Sequence, residues 1–148
     1  GDGPGREAFE SRARELGLES RMHTTGFVPQ AEVASWLNGC DLAVAPYEDR
    51  RDFYFSPLKV FEFMALGLPV VAADIGQLSD ILGAGRGWLY RPGDLRALSS
   101  AILDVVRDPA SARDRALRAR LWVLEQATWK HRVGEILDRL ATLRTVHA

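Results

Sequence analysis

Residues 53–74 read FYFSPLKVFEFMALGLPVVAAD, and two elements of different period meet inside them. LPVVAAD, residues 68–74, is short, β-branched and almost wholly apolar, which predicts a strand buried on both faces, as in a parallel sheet. PLKVFEFMALG before it carries apolar residues nearly all round and stops at Gly67, which predicts a helix buried on most sides. Ser56 suits its N-cap and Pro57 its first position, where the missing N–H costs nothing and the fixed φ already suits a helix. The amides of Leu58 and Lys59 then point out of the helix start, an arrangement that favours an anion such as a phosphate. Lys59 and Glu62 share one helix face. Charges on a buried helix are costly unless they are paired or meet a ligand. Two accounts stay open. An ion pair between them could seal the helix start, or Lys59 could meet a phosphate while Glu62 accepts hydrogen bonds from ribose hydroxyls. Both hold if the pair loosens when ligand arrives.

Working outward, DLAVAPY (41–47) reads as a second buried strand and AEVASWLNG (31–39) as a short helix stopped by Asn38-Gly39. RMHTTGFV (21–28) reads as a strand ending near Val28, and REAFESRARELG (6–17) as an amphipathic helix closed by Gly17. Downstream come a short helix in GQLSDIL, a strand in RGWLY, a turn at PGD and a well-patterned helix before Pro109. Two more helical stretches form a tail over 109–148. Strands alternating with helices predict an α/β fold, a doubly wound parallel sheet, in one domain spanning 1–148 with that tail attached. Ligands of such folds bind outside the carboxyl ends of the strands. The loops after residues 28, 46, 74 and 90 and the opening GDGP are therefore the places to look.

Composition narrows the classes. The chain has 148 residues, 47% hydrophobic and 26% charged, with a formal charge of −1. Near-neutral charge argues against a dedicated nucleic-acid binder, and no apolar run approaches the roughly 20 residues of a membrane span. A single cysteine, Cys40, fits a reducing, cytoplasmic compartment. His23, His131 and His147 lack triad or metal spacing, and no metal is expected. Only two of the nineteen basic residues are lysines, Lys59 and Lys130. The Arg-rich stretch from Arg113 to Arg120 has acids interspersed and reads as a solvated face, with anionic lipid or another domain as the alternative. The loop 48–52, EDRRD, reads as solvated, or as a gate over a ligand. GAGRG (83–87) leads into a strand and reads as a turn, not a dinucleotide fingerprint.

SPLKVFEFMALGLPVVA resembles the nucleotide-sugar site of retaining glycosyltransferases of the GT-B fold, family four. That family carries a Glu, seven residues, a second Glu on a buried helix, and then A-x-G-x-P-V-V-A. Glu62 matches the second Glu, and Ala65, Gly67, Pro69, Val70, Val71 and Ala72 match the rest. GDGP, TTGFVP, DLAVAPY, ADIGQLSDIL, LYRPGD and the TW ending at Trp129 resemble further family segments in the same order, over about the whole chain. The resemblance implies a Rossmann-like C-terminal donor domain. In it Glu62 holds the ribose, the amides of Leu58 and Lys59 meet the diphosphate, and Phe27 and Val28 lie against the base. Ser56 sits at the helix start, and the opening GDGPG, with Gly1 and Gly3, reads either as a turn near the phosphates or as a flexible, clipped end. The first Glu of the pattern falls at Tyr54, which puts the donor sugar in question; Tyr54 is otherwise a packing aromatic.

The expectation is a domain that binds a nucleotide-diphosphate sugar as donor, without cofactor or metal, and transfers the sugar with retention. The resemblance further implies an acceptor-binding domain and a first strand before Gly1, peripheral membrane association of the full enzyme as an open possibility, and no turnover by these residues alone. The alternative is a non-catalytic α/β binding or interaction module derived from such a domain.

Overall fold

In a computed structural model, residues 2–49 and 56–146 are described, and they fall into two compact units, Gly1–Gly39 and Cys40–Ala148. Tyr54, the rest of FYF and Arg50 to Asp52 lie outside the described residues.

The larger unit is built on three strands, β1 (Ala43–Ala45), β2 (Val70–Ala73) and β3 (Trp88–Tyr90), parallel and in the order β1-β2-β3. Ala43 faces Val70 across the first pair, and Val71 faces Trp88 across the second. All four residues of β2 are buried, which is why its sequence is a continuous apolar run. Its period of two divides them between two cores. Val70 and Ala72 join Val60 and Met64 of helix α3 (Leu58–Ala65), Leu78, Ile81 and Leu82 at helix α4 (Leu78–Leu82), and Ala119 and Val123 of helix α6 (Pro109–Gln126). Val71 and Ala73 join Ala101 and Val105 of helix α5 (Leu95–Arg107) and Ala112 of α6. Helices thus cover both faces of a parallel sheet, the expected α/β architecture.

Local chemistry sets the helix limits. Asp94 and Asp108 cap α5 and α6, their carboxylates accepting from the amides of Ala97 and Ser111, each at 2.9 Å. Gly67 closes α3 at φ +75°, while the Leu68 amide reaches back to the Phe63 carbonyl at 3.0 Å. The final helix α7 spans Trp129–Val146.

Part of the Arg-rich stretch is not merely solvated. Arg115 lies over the Trp88 ring, 4.6 Å from its centroid, and donates to the Gly87 carbonyl at 3.0 Å. Arg118 donates to the Gly85 carbonyl at 3.2 Å, so α6 ties down the GAGRG turn.

The smaller unit holds α1 (Arg6–Glu15) and α2 (Gln30–Leu37). The strand expected over RMHTTGFV is not formed: a short 3₁₀ turn covers Glu19–Arg21. Residues 22–28 then alternate half-buried and exposed, as a strand would, with no ladder among the described residues. A strand needs a hydrogen-bonded neighbour, which the segment's own sequence cannot supply. No helix among the described residues is long and apolar enough to cross a membrane.

Candidate functional site

At the carboxyl end of the sheet, α3 follows the loop after β1 and α4 follows the loop after β2. The start of α3 departs from its expected chemistry. Pro57 occupies the N-cap, with ψ 65°, and no side chain caps the helix, so Ser56 is one residue too early to act as the cap. The Leu58 amide donates to the Ser56 carbonyl at 2.9 Å, and the Val60 amide donates to that of Pro57 at 2.8 Å. The amide expected to meet an anion at Leu58 is therefore already engaged.

The helix is also less buried than its composition predicts. Val60 and Met64 face the core, whereas Leu58 is 57% exposed and both Lys59 and Glu62 are exposed. A helix on the flank of a sheet is covered only on its inner side, whatever its other residues are. The ion pair between Lys59 and Glu62, one of the two open accounts, is not among the ion pairs of the described residues. The Lys59 ammonium instead lies over the Tyr47 ring, 4.5 Å from its centroid, just past the end of β1. Burial there lowers the affinity of the Lys59 amine for its proton and raises that of the Tyr47 phenolate.

Ser56, Leu58, Phe61 and Glu62 line one open cavity of about 700 Å³ with Gln77, Ala127, Trp129 and Arg132. Its volume suits a ligand of nucleotide size. Gln77 precedes α4, and Trp129 and Arg132 lie in the first turn of α7. Thr128 anchors that turn: its carbonyl accepts from the Arg132 amide at 3.1 Å, and its hydroxyl meets His131 Nδ1 at 2.7 Å. The Arg132 guanidinium donates to both oxygens of Glu135, at 2.9 and 3.2 Å. Lys59 is not among the residues lining the cavity.

Gly3, Phe27 and Val28 belong to the smaller unit. The carbonyl of Gly3 accepts from the Arg6 amide at 3.0 Å, and the Asp2 carboxylate accepts from the Phe27 amide at 2.7 Å. Between them Gly26 takes φ +67°, and a Cβ there would come within 3.1 Å of the Asp2 carboxylate. Arg6 pairs with Asp2 and with Glu10, and Glu10 accepts from the Thr24 hydroxyl at 2.8 Å. Phe27 itself is 80% exposed and Val28 half-buried. Among the described residues, no three His, Cys, Asp or Glu side chains group as metal ligands would.

Sequence reading missed Gln77 and Arg132 as cavity residues, and noted Trp129 only as part of a family-like TW. Nothing local marks Arg132: in the sequence it is one of many arginines spaced along a helix. Only the position of the α6–α7 corner brings it to the cavity that Glu62 lines.

The profile of the glycosyl transferases of group 1 matches residues 1–108. Over 137 residues the chain is 29% identical to a 2-deoxystreptamine glucosyltransferase of Streptomyces kanamyceticus, covering 90% of this chain and 34% of that one. It is 31% identical over 130 residues to the amylovoran biosynthesis glycosyltransferase AmsK of Erwinia amylovora, covering 84% and 32%. Sucrose-phosphate synthase from Thermosynechococcus elongatus superposes with a TM-score of 0.79 at 26% identity, over 97% of this chain and 37% of that one. Anabaena HepE, solved in complex with UDP, superposes with a TM-score of 0.76 at 25% identity, over 92% and 36%. The chain spans about a third of the length of the curated relatives it matches.

Proposed function

Since the chain belongs to the group 1 family of glycosyl transferases and has their GT-B-like fold, we propose that it binds the nucleotide-diphosphate sugar of a retaining, family-four type of sugar transfer. The observation that carries this proposal is the exposed Glu62 carboxylate, beside Ser56 and Leu58 in one cavity at the carboxyl end of a parallel sheet. In this reading Glu62 accepts hydrogen bonds from the two ribose hydroxyls. Such bonds to a charged acceptor are among the stronger polar contacts a site can make.

Leu58 and Phe61 give the cavity an apolar wall, and the polar atoms of Ser56 and Gln77 are available to orient the donor. The Lys59 amide and, once it leaves the Tyr47 face, the Lys59 ammonium serve the phosphates. Holding negative charge as it develops on the departing diphosphate lowers the barrier to sugar transfer, and the chain's own groups do this without a metal. Phe27, Val28 and Gly3 are assigned to the base and phosphate side, and Tyr54 stands where the family pattern has its first Glu. That position of the pattern therefore brings no carboxylate, which leaves the donor sugar open.

Calorimetric titration with UDP, GDP and their sugars tests the assignment. One nucleotide series should bind, and Glu62→Ala should weaken it by about tenfold or more, the effect of losing hydrogen bonds to a charged group. If neither series binds, or if Glu62→Ala binds as the parent does, the donor-site assignment falls and the non-catalytic module replaces it.

A further inference from the structure

Lys59 and Glu62 carry opposite charges on neighbouring turns of α3, within reach of each other on one helix face. Their tasks differ in the donor-site reading above, on which this inference rests: Glu62 takes the ribose diol and Lys59 the phosphates. A salt bridge between them would cancel both charges before any ligand arrived. Nothing in the helix itself prevents that bridge.

The ammonium is held elsewhere. It lies over the Tyr47 ring, 4.5 Å from the centroid, and Lys59 is not among the residues that line the cavity of Glu62. An aromatic face attracts a cation through the ring quadrupole, more strongly as water is excluded. Both groups are partly buried there, which pushes the Lys59 amine down from its ordinary pKa and the Tyr47 phenol up. The ring is also a fixed platform. Tyr47 packs against the cores on both faces of the sheet, and its amide donates to the Ala45 carbonyl at 3.2 Å. A ring held by two cores stays in place, and the long lysine stem comes to it.

We propose that Tyr47 is a positioning residue of the donor site, whose ring holds the Lys59 ammonium away from the Glu62 carboxylate until a phosphate draws it off. The order of strengths permits this exchange. An exposed Lys–Glu pair is weak, and a lysine on the N-terminal side of the glutamate is the poorer orientation for it. A cation–π contact shielded from part of the water prevails over such a pair. A diphosphate, with more charge than one carboxylate, prevails over both. Glu62 thus meets ribose without first losing a lysine, and Lys59 meets phosphate without first losing a carboxylate. Tyr47 touches no ligand in this scheme and acts through Lys59.

Two measurements test the role. The chain has only two lysines, Lys59 and Lys130, so NMR of the lysine ε-methylenes, assigned with Lys130→Arg, reads the ring contact. In the parent and in Tyr47→Phe the Lys59 signals should be moved upfield by the ring current. In Tyr47→Leu they should return to their ordinary position and become sensitive to Glu62→Gln. Ordinary signals in the parent overturn the proposal.

Uridine, guanosine, UDP and GDP are then titrated, followed by NMR so that millimolar affinities register. A nucleoside has no phosphate, so its response to changes at Tyr47 reports on the ribose contact. Tyr47→Leu should weaken the nucleoside that binds by about twofold to fivefold, the strength of an exposed ion pair. Tyr47→Phe should bind as the parent does, and so should Tyr47→Leu combined with Lys59→Met, which removes the competing cation. Equal nucleoside affinity for Tyr47→Leu and parent overturns the proposal. A loss that persists in the double variant overturns it too, because it marks a packing role at the end of β1. A parent that binds UDP or GDP but neither nucleoside keeps the donor site and overturns the separation, since Glu62 then has no ribose contact to protect. A parent that binds none of the four removes the donor-site reading, and the inference with it.

Discussion

Gly1–Gly39 and Cys40–Ala148 are held together by different forces. Among the described residues of the smaller unit only Ala13 is buried, and its organising contacts are polar: Asp2 with Arg6, Arg6 with Glu10, Glu10 with Thr24, and Asp2 with the Phe27 amide. The larger unit buries a strand on both faces and packs α3, α4, α5 and α6 around it. The contrast bears on function. Glu62 and Leu58 project from a helix pinned by Val60 and Met64, so their positions follow from a close-packed core that resists displacement. Phe27 and Val28 are placed by hydrogen bonds and ion pairs at the surface, which individually contribute little.

Core substitutions give the largest effects. Met64→Ala removes a fully buried side chain between the sheet and α6 and should cost about 2–5 kcal/mol in urea unfolding. Phe9→Ala, at a residue 61% exposed in the smaller unit, should stay within about 0.5 kcal/mol. A Phe9→Ala loss as large as that of Met64→Ala would break the contrast. Helix caps come next: Asp94→Ala and Asp108→Ala each leave the Ala97 or Ser111 amide without its side-chain acceptor and should cost about 1 kcal/mol. Glu62→Ala, at an exposed position, should leave the unfolding midpoint where it is while weakening nucleotide. A shift of that midpoint comparable to the cap mutants would make Glu62 a structural residue.

Legibility follows the same division. LPVVAAD, DLAVAPY and the Asp-led helices could be read because burial and capping leave their mark on consecutive residues. RMHTTGFV carried the right alternation but not the neighbour that would make it a strand. At the candidate site, Glu62, Leu58 and Ser56, each named from the sequence, line one cavity. The details that failed are those decided by a single turn or by long-range packing. Pro57 took the cap from Ser56, the Leu58 amide bonded to the Ser56 carbonyl, Lys59 found the Tyr47 ring, and Arg132 reached the cavity from the α6–α7 corner. None of these has a periodic signature.

The smallest expected effect sharpens the comparison most directly. Hydrogen bonding to Arg6, then to the Phe27 amide, holds the Asp2 carboxyl below the ordinary carboxylate range, and Arg6 followed by Thr24 does the same for Glu10. A carboxyl whose affinity for protons is lowered by folding stabilises the fold above its unfolded value, and that contribution disappears as pH falls through the lower, folded value. Acid should therefore release the ties of Asp2 to Phe27 and of Glu10 to Thr24 before it disturbs the apolar sheet. The Phe27 and Thr24 amide resonances, followed by NMR from neutral to acid pH, should move together while those of Val70 to Ala73 stay fixed. Asp2→Asn should abolish the Phe27 titration and leave the urea midpoint in place. If the β2 amides titrate in step with Phe27, the polar ties of the smaller unit and the core of the larger one form a single cooperative structure, and the difference drawn between them is wrong.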